Sequence, residues 1–193
     1  MVTIVSGLPR SGTSLMMRML EAGGLPPLTD GIRAADIDNP NGYYEFEPVK
    51  STDKDAAWLT QAEGRAVKMV YKLLETLPPD RDYRVVFMQR RLKEVVASQN
   101  RMLRRLGVTA DAAEAAPGET FRWVGMLADE VARCRAWLKA QPRFAVLYVN
   151  YNRLIEAPGP VIEALVAFCG GSLDADAMRR VIDPTLYRRR VPT

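Results

Sequence analysis

Gly7-Leu8-Pro9-Arg10-Ser11-Gly12-Thr13-Ser14 lies directly after the apolar run Val2-Thr3-Ile4-Val5 and directly before Leu15-Met16-Met17-Arg18-Met19-Leu20. That order reads as a buried strand, a glycine loop and a helix. Gly7 and Gly12 can take positive φ, which lets an anion come close to the backbone. The N–H groups of Ser11 to Ser14 would open the helix without intrahelical partners, at the positive end of its dipole. Ser11, Thr13 and Ser14 add hydroxyls, and Arg10 adds a permanent charge on a planar fork suited to phosphate or sulfate oxygens. Both glycines and Ser14 fit the spacing G-x-x-x-x-G-K-[ST], but Thr13 stands where the phosphate-gripping lysine belongs. The stretch predicts an anion cradle that is not built for ATP hydrolysis.

The remaining composition narrows the chemistry. With 193 residues, 48% of them hydrophobic, the chain is long enough for one α/β domain over residues 1–193 with a sizeable core. A net charge of +4 suits an anionic small ligand as well as nucleic acid, so charge alone selects neither. There is no histidine, which removes a histidine base, a serine–histidine triad and the usual zinc sites. Cys134 and Cys169 each fall within an apolar helical pattern, which predicts reduced core thiols. No apolar run of 18 or more residues and no basic leader are seen, so a cytoplasmic protein without a membrane span is expected.

Strand-like runs at 2–6, 66–71, 84–89 and 144–149 alternate with helical patterns at 13–22, 47–62, 92–106, 120–140 and 158–169. This alternation predicts a parallel sheet with helices on both faces. Phe121, Val124, Leu127, Val131, Cys134 and Leu138 recur at helical spacing as an expected core face. Residues 25–42 and 110–118 read as connecting segments. Neither 85–89 nor 146–150 ends in the aspartate that a Mg²⁺-dependent NTPase would place there.

A second anion constellation begins where 85–89 delivers Arg90-Arg91-Leu92-Lys93-Glu94 to the carboxyl edge of the sheet, with Ser98 two turns into the next helix. Arg90 and Ser98 are placed to share one phosphate if that helix folds back beside its strand. The alternative is a basic solvated helix, since Arg91, Lys93, Arg101, Arg104 and Arg105 decorate the same stretch.

Together these motifs resemble the sulfotransferase family. Pro9-Arg10-Ser11-Gly12-Thr13 is similar to its phosphosulfate-binding loop, and Arg90 through Ser98 to its 3′-phosphate motif. Val146-Leu147-Tyr148-Val149, Tyr151, Leu154, Pro158 and Phe168-Cys169-Gly170-Gly171 resemble the family's late strand and helix. The likeness is greatest to bacterial sulfotransferase-like proteins and, in the loop, to tyrosylprotein sulfotransferases. It implies a three-layer α/β sandwich of the P-loop NTPase-like kind, with 3′-phosphoadenosine 5′-phosphosulfate (PAPS) as donor and its product 3′-phosphoadenosine 5′-phosphate (PAP). The acceptor implied is a hydroxyl of a small molecule, carbohydrate or peptide, with no metal required and no nucleic-acid partner. Arg10 would face the leaving phosphate, where opposite unit charges ~4 Å apart interact by about 4 kcal/mol at an effective dielectric near 20. A nucleotide-binding P-loop protein without sulfuryl transfer, kinase-like or silent, stands as the alternative.

The acceptor side departs from the histidine-using branches of the family. Glu45, flanked by Tyr43, Tyr44 and Phe46, is the candidate base, with the alternative that it and Glu47 merely open the next helix. Lys68, Tyr71 and Lys72 cluster at the end of the second strand pattern, and Lys72 ranks above Lys68 as a catalytic contact because Lys68, within the strand, can snorkel to solvent. Arg188 and Arg189, in the basic tail, are the last nucleotide-binding candidates, a frayed terminus being the alternative.

Overall fold

The computed structural model describes residues 1–36, 39, 42–105, 107 and 117–183. Five strands, β1 (Val2–Gly7), β2 (Pro27–Leu28), β3 (Ala66–Lys68), β4 (Tyr83–Gln89) and β5 (Phe144–Asn150), form one sheet in the order β2-β3-β1-β4-β5. Every pairing in it is parallel. The helices are α1 (Thr13–Ala22), α2 (Leu92–Arg105), α3 (Pro117–Lys139), α4 (Tyr151–Glu156), α5 (Pro158–Phe168) and α6 (Ala175–Arg180).

Alternation along the strands sorts side chains onto two faces. Ile4, Val85 and Phe87 join Trp58, Leu74, Val95, Cys134 and Leu138 on one side. Val5, Val86 and Met88 join Met16, Met17, Leu20, Leu154, Leu165 and Met178 on the other. Both faces are thus covered, giving the three layers expected for a parallel sheet. Each fully buried aliphatic side chain contributes about 1.5–3 kcal/mol. The chain runs from β1 to the β2 edge, returns through β3, and then crosses to β4 on the other side of β1. That reversal makes the carboxyl end of β1 a topological switch point, where a crevice opens.

Several elements differ from the sequence expectation. Residues 47–62 form two 3-10 turns, Glu47–Ser51 and Ala57–Thr60, in place of a helix. Thr52 Oγ1 donates to Val49 O (2.6 Å), and Ala57 N donates to Asp55 Oδ1 (2.8 Å). These local bonds give the backbone an alternative to a helical ladder. β3 stops at Lys68, three residues early, and Tyr71–Thr76 turns as a 3-10 helix. β2 was hidden in the turn-rich segment, being two residues long with a proline tolerated on a sheet edge. Phe121, expected on the core face of α3, is 79% exposed, whereas Leu127, Val131, Cys134 and Leu138 pack inward. Six residues before Leu127, it lies about 120° around the helix from that residue.

Cys134 and Cys169 are free thiols, pushed up in pKa by burial, Cys134 to about 11. Among the described residues, no helix is long and apolar enough to cross a membrane.

Candidate functional site

A cleft of about 460 Å³ opens over the carboxyl ends of β1, β3 and β4. Its floor is the glycine loop. Gly7 has φ 141° and Gly12 φ 101°, and Arg10, unusually for a side-chain-bearing residue, has φ 73°. A Cβ on Gly7 would lie 2.5 Å from Met88 O, and one on Gly12 would lie 2.3 Å from Tyr151 Cδ2. Both positions therefore exclude any residue but glycine. Gly12 is also the N-cap of α1 and brings no side-chain cap, which leaves the helix-opening N–H groups directed at the loop.

The loop and the second constellation meet. Arg10 Nε donates to Ser98 Oγ (2.9 Å), and Arg90 Nη1 donates to Arg10 O (3.2 Å). Arg90 is held from behind. Its Nε donates to Glu94 Oε2 at 2.8 Å, and its guanidinium carbon lies 4.6 Å from the Tyr151 ring centre. Glu94 is fully buried and accepts from Asn152 Nδ2 at 3.0 and 3.2 Å, while Asn152 Oδ1 accepts from Arg91 N at 3.2 Å. A buried carboxylate needs such saturation to stay charged. Ser11 Oγ is buried with no hydrogen-bond partner among the described residues, a cost that an anion in the cradle would remove. Asn39 Nδ2 donates to Ser14 Oγ (3.0 Å), so a loop residue reaches the start of α1.

The candidates on the acceptor side divide. Glu45 lines the cleft, and two cations lie against its carboxylate. Arg33 Nη1 lies 2.7 Å and Lys68 Nζ 3.7 Å from Glu45 Oε1. Arg33 also stacks 3.4 Å above the centre of the Tyr43 ring. Tyr43 OH donates to Asp36 Oδ1 (2.7 Å), and its pKa is raised by burial and by that carboxylate. Lys68 lines the cleft and donates to Tyr43 O; burial pulls its pKa down to about 8. Lys72, ranked ahead of it from the sequence, is exposed and pairs with Glu130 (3.1 Å) outside the cleft. The early end of β3 is the reason, because the 3-10 turn that follows carries Lys72 away. Arg188 and Arg189 lie outside the described residues.

Sequence reasoning passed over Arg33, Asn39 and Asn152. Asn152 had a readable signal, since it follows the carboxyl end of β5 as Arg90 follows that of β4.

A family model of the sulfotransferase domain matches residues 2–188. No curated protein sequence matches the chain. The sulfotransferase domain of the olefin synthase of Synechococcus PCC 7002 superposes with a TM-score of 0.55 at 18% identity, over 100% of this chain and 89% of that one. A sulfotransferase from Alicyclobacillus acidocaldarius gives 0.51 at 16% identity, over 97% and 96%. Retinol dehydratase, solved with androsterone and the inactive cofactor PAP, gives 0.50 at 15% identity, over 93% and 62%. At these identities the superpositions speak for the fold. The match along nearly the whole sequence, on a parallel sheet with an anion cradle at its switch point, shows that the chain belongs to the sulfotransferase domain family and is an enzyme of sulfuryl transfer.

Proposed function

We propose that the donor is PAPS and that the acceptor is a hydroxyl of a small molecule. The observation that carries this reading is the junction of Arg10, Ser98 and Arg90 in one cleft, which supplies two adjoining anion sites. The glycine loop with Arg10, Ser11, Gly12, Thr13 and Ser14 suits the 5′-phosphosulfate, and Arg90 with Ser98 suits the 3′-phosphate. The orphaned Ser11 hydroxyl and the Cβ-excluding glycines fit an anion lying on the backbone. Bound PAPS would bring a sulfuryl group attached to a phosphate leaving group, so negative charge grows on that phosphate during transfer.

The protein's own part is electrostatic and positional. Arg10 stabilises charge without donating a proton. Glu45 and Asp183 are the carboxylates among the described residues lining the cleft, and Glu45 sits beside Lys68. Glu45 takes the acceptor's proton. Lys68 supplies a cation beside it, and Tyr43, its pKa raised, keeps its proton.

Calorimetry with PAP and AMP tests the donor. PAP should bind more tightly by about 2–4 kcal/mol, because the 3′-phosphate adds charge-assisted hydrogen bonds to Arg90 and Ser98 that AMP cannot make. Arg90→Ala should erase most of that preference. Equal affinities in the parent protein would overturn the assignment.

A further inference from the structure

The two edges of the sheet are finished differently. β2 closes one edge with two residues, the first of them Pro27, which offers almost nothing to another strand. β5 forms the other edge with seven residues, Phe144-Ala145-Val146-Leu147-Tyr148-Val149-Asn150, in unbroken register with β4 and without a proline or a bulge. Tyr83 N donates to Arg143 O (2.8 Å), so alternate residues from Arg143 onward turn their backbone groups to β4, and Phe144, Val146 and Tyr148 turn theirs outward. Phe144 N donates to Gln141 O (3.3 Å), but among the described residues no strand pairs with the other outward groups. A row of unpaired donors and acceptors on a long apolar edge is a template for one more strand.

Above that edge, a groove of about 380 Å³ runs between β5 and the carboxyl-terminal half of α3. Phe144, Val146 and Tyr148 form its floor and Arg135, Lys139 and Gln141 its rim, with no carboxylate among the residues lining it. The Arg135 guanidinium carbon lies 4.8 Å from the centre of the Tyr148 ring, and neither Arg135 nor Lys139 has an ion-pair partner among the described residues. Arg143, just before the strand, is paired with Asp82 (3.4 Å). Arg135 and Lys139 stand about 6 Å apart along α3, close to the ~6.6 Å between alternate side chains of a strand. A sixth strand beside β5 would raise alternate side chains toward that pair, and carboxylates there would meet both cations. A second copy of β5 would instead bring two basic rims together, and the chain's own run Arg188-Arg189-Arg190 is basic as well. We propose that the β5 edge is a docking site for an acidic extended segment of a partner protein, which adds to the sheet as its sixth strand with carboxylates at every second position.

Fluorescence anisotropy tests this with three labelled peptides, each as long as the seven residues of β5. One alternates glutamate with valine, the second carries lysine at the glutamate positions, and the third is the glutamate peptide methylated on all its backbone nitrogens. The glutamate peptide should bind, the lysine peptide should bind at least about tenfold more weakly, and the methylated peptide should not bind measurably. Val146→Pro removes an outward N–H while leaving the β4 ladder its donors, and should weaken the glutamate peptide about tenfold or more with PAP affinity kept. Arg135→Glu with Lys139→Glu, at two exposed positions, should reverse the preference between the glutamate and lysine peptides, a gain that a damaged fold does not produce. Equal binding of the two charged peptides overturns the proposal. So does methylation without effect, or a glutamate peptide that does not bind. A dimer in sedimentation that Val146→Pro dissolves would give the edge to a second copy and overturn it too. No peptide readout involves the cleft or turnover, so each of these outcomes leaves the sulfuryl-transfer reading where it stands.

Discussion

The anion end of the cleft is carried by the ends of three neighbouring strands, β1, β4 and β5, whereas the acceptor end rests on the short β3, a loop and a 3-10 turn. At the first, Glu94 is fully buried, Asn152 is 3% exposed, and both brace Arg90. At the second, Arg33, Glu45 and Val70 are partly exposed, and ion pairs with Arg33 and Lys68 orient the candidate base. The difference separates what such an enzyme must keep from what it can change. Donor geometry is fixed by strand pairing and buried charge, so it survives substitution around it. Acceptor geometry is set by loop residues that can be replaced with little effect on the core.

If the two ends are separable, removing the base must leave the donor site untouched. Glu45→Gln keeps the shape and removes proton acceptance, so turnover should fall ~10²- to 10⁴-fold. PAP affinity by calorimetry should stay within a few-fold. Near-normal turnover would send the proton elsewhere.

The converse break lies in the loop. Gly12→Ala places a Cβ 2.3 Å from the Tyr151 ring at a φ of 101°. Strain of about 1–3 kcal/mol plus displacement of the loop should weaken PAP by roughly 10- to 100-fold. Adding Tyr151→Ala should recover only the part due to the ring. Full recovery would mean that the positive φ is not required.

A smaller effect should come from Glu94→Gln. The substituted amide keeps much of the shape but puts a donor against Arg90 or Asn152, so the guanidinium is no longer held in its place facing the 3′-phosphate. PAP preference over AMP should drop about tenfold, with a loss of stability readable in urea. Loss of stability with unchanged preference would make Glu94 a core residue without a part in nucleotide selection.

How legible each end was in the sequence follows from the same contrast. β1, β4 and β5 are continuous apolar runs ending at a glycine loop, at Arg90 and at Asn150, and pattern alone exposes them. The contact between Arg10 and Ser98 spans 88 residues, and no local pattern encodes it. Its two halves were separately visible, and the family resemblance joined them. At the acceptor end, the choice between Lys68 and Lys72 turned on where β3 stops, the kind of boundary that tertiary pairing decides. Residues 47–62 carry helix formers, yet Pro48 at the first turn and the side chains of Thr52 and Asp55 reshape them into 3-10 turns. Arg33 gave no signal, since its meaning lies in stacking on Tyr43 from a turn-rich segment.

The subtlest expected effect concerns Lys68, where the acceptor end touches the core. Its side chain is 14% exposed, and burial lowers its pKa from 10.5 to about 8, an effect that Glu45 at 3.7 Å offsets only in part. Below pH 8 the group is charged in both the folded and unfolded chain, so the full cost of burying the charge is present. Between pH 8 and 10.5 the folded protein releases its proton first, the unfolded chain binds more protons, and stability relative to a neutral substitute recovers as pH rises. Lys68→Met should therefore raise Tm at pH 7 by a few degrees, at roughly 2–4 °C per kcal/mol for a chain of this size. The gain should shrink across pH 8 to 10.5 and vanish above it. The catalytic counterpart runs the other way, because a cation beside Glu45 is lost by deprotonation. Wild-type turnover should fall above pH 8, Lys68→Met should be slower at neutral pH without that limb, and Lys68→Arg should keep its rate through it. A rate that instead climbs through pH 8 would make the neutral amine of Lys68 the proton acceptor in place of Glu45.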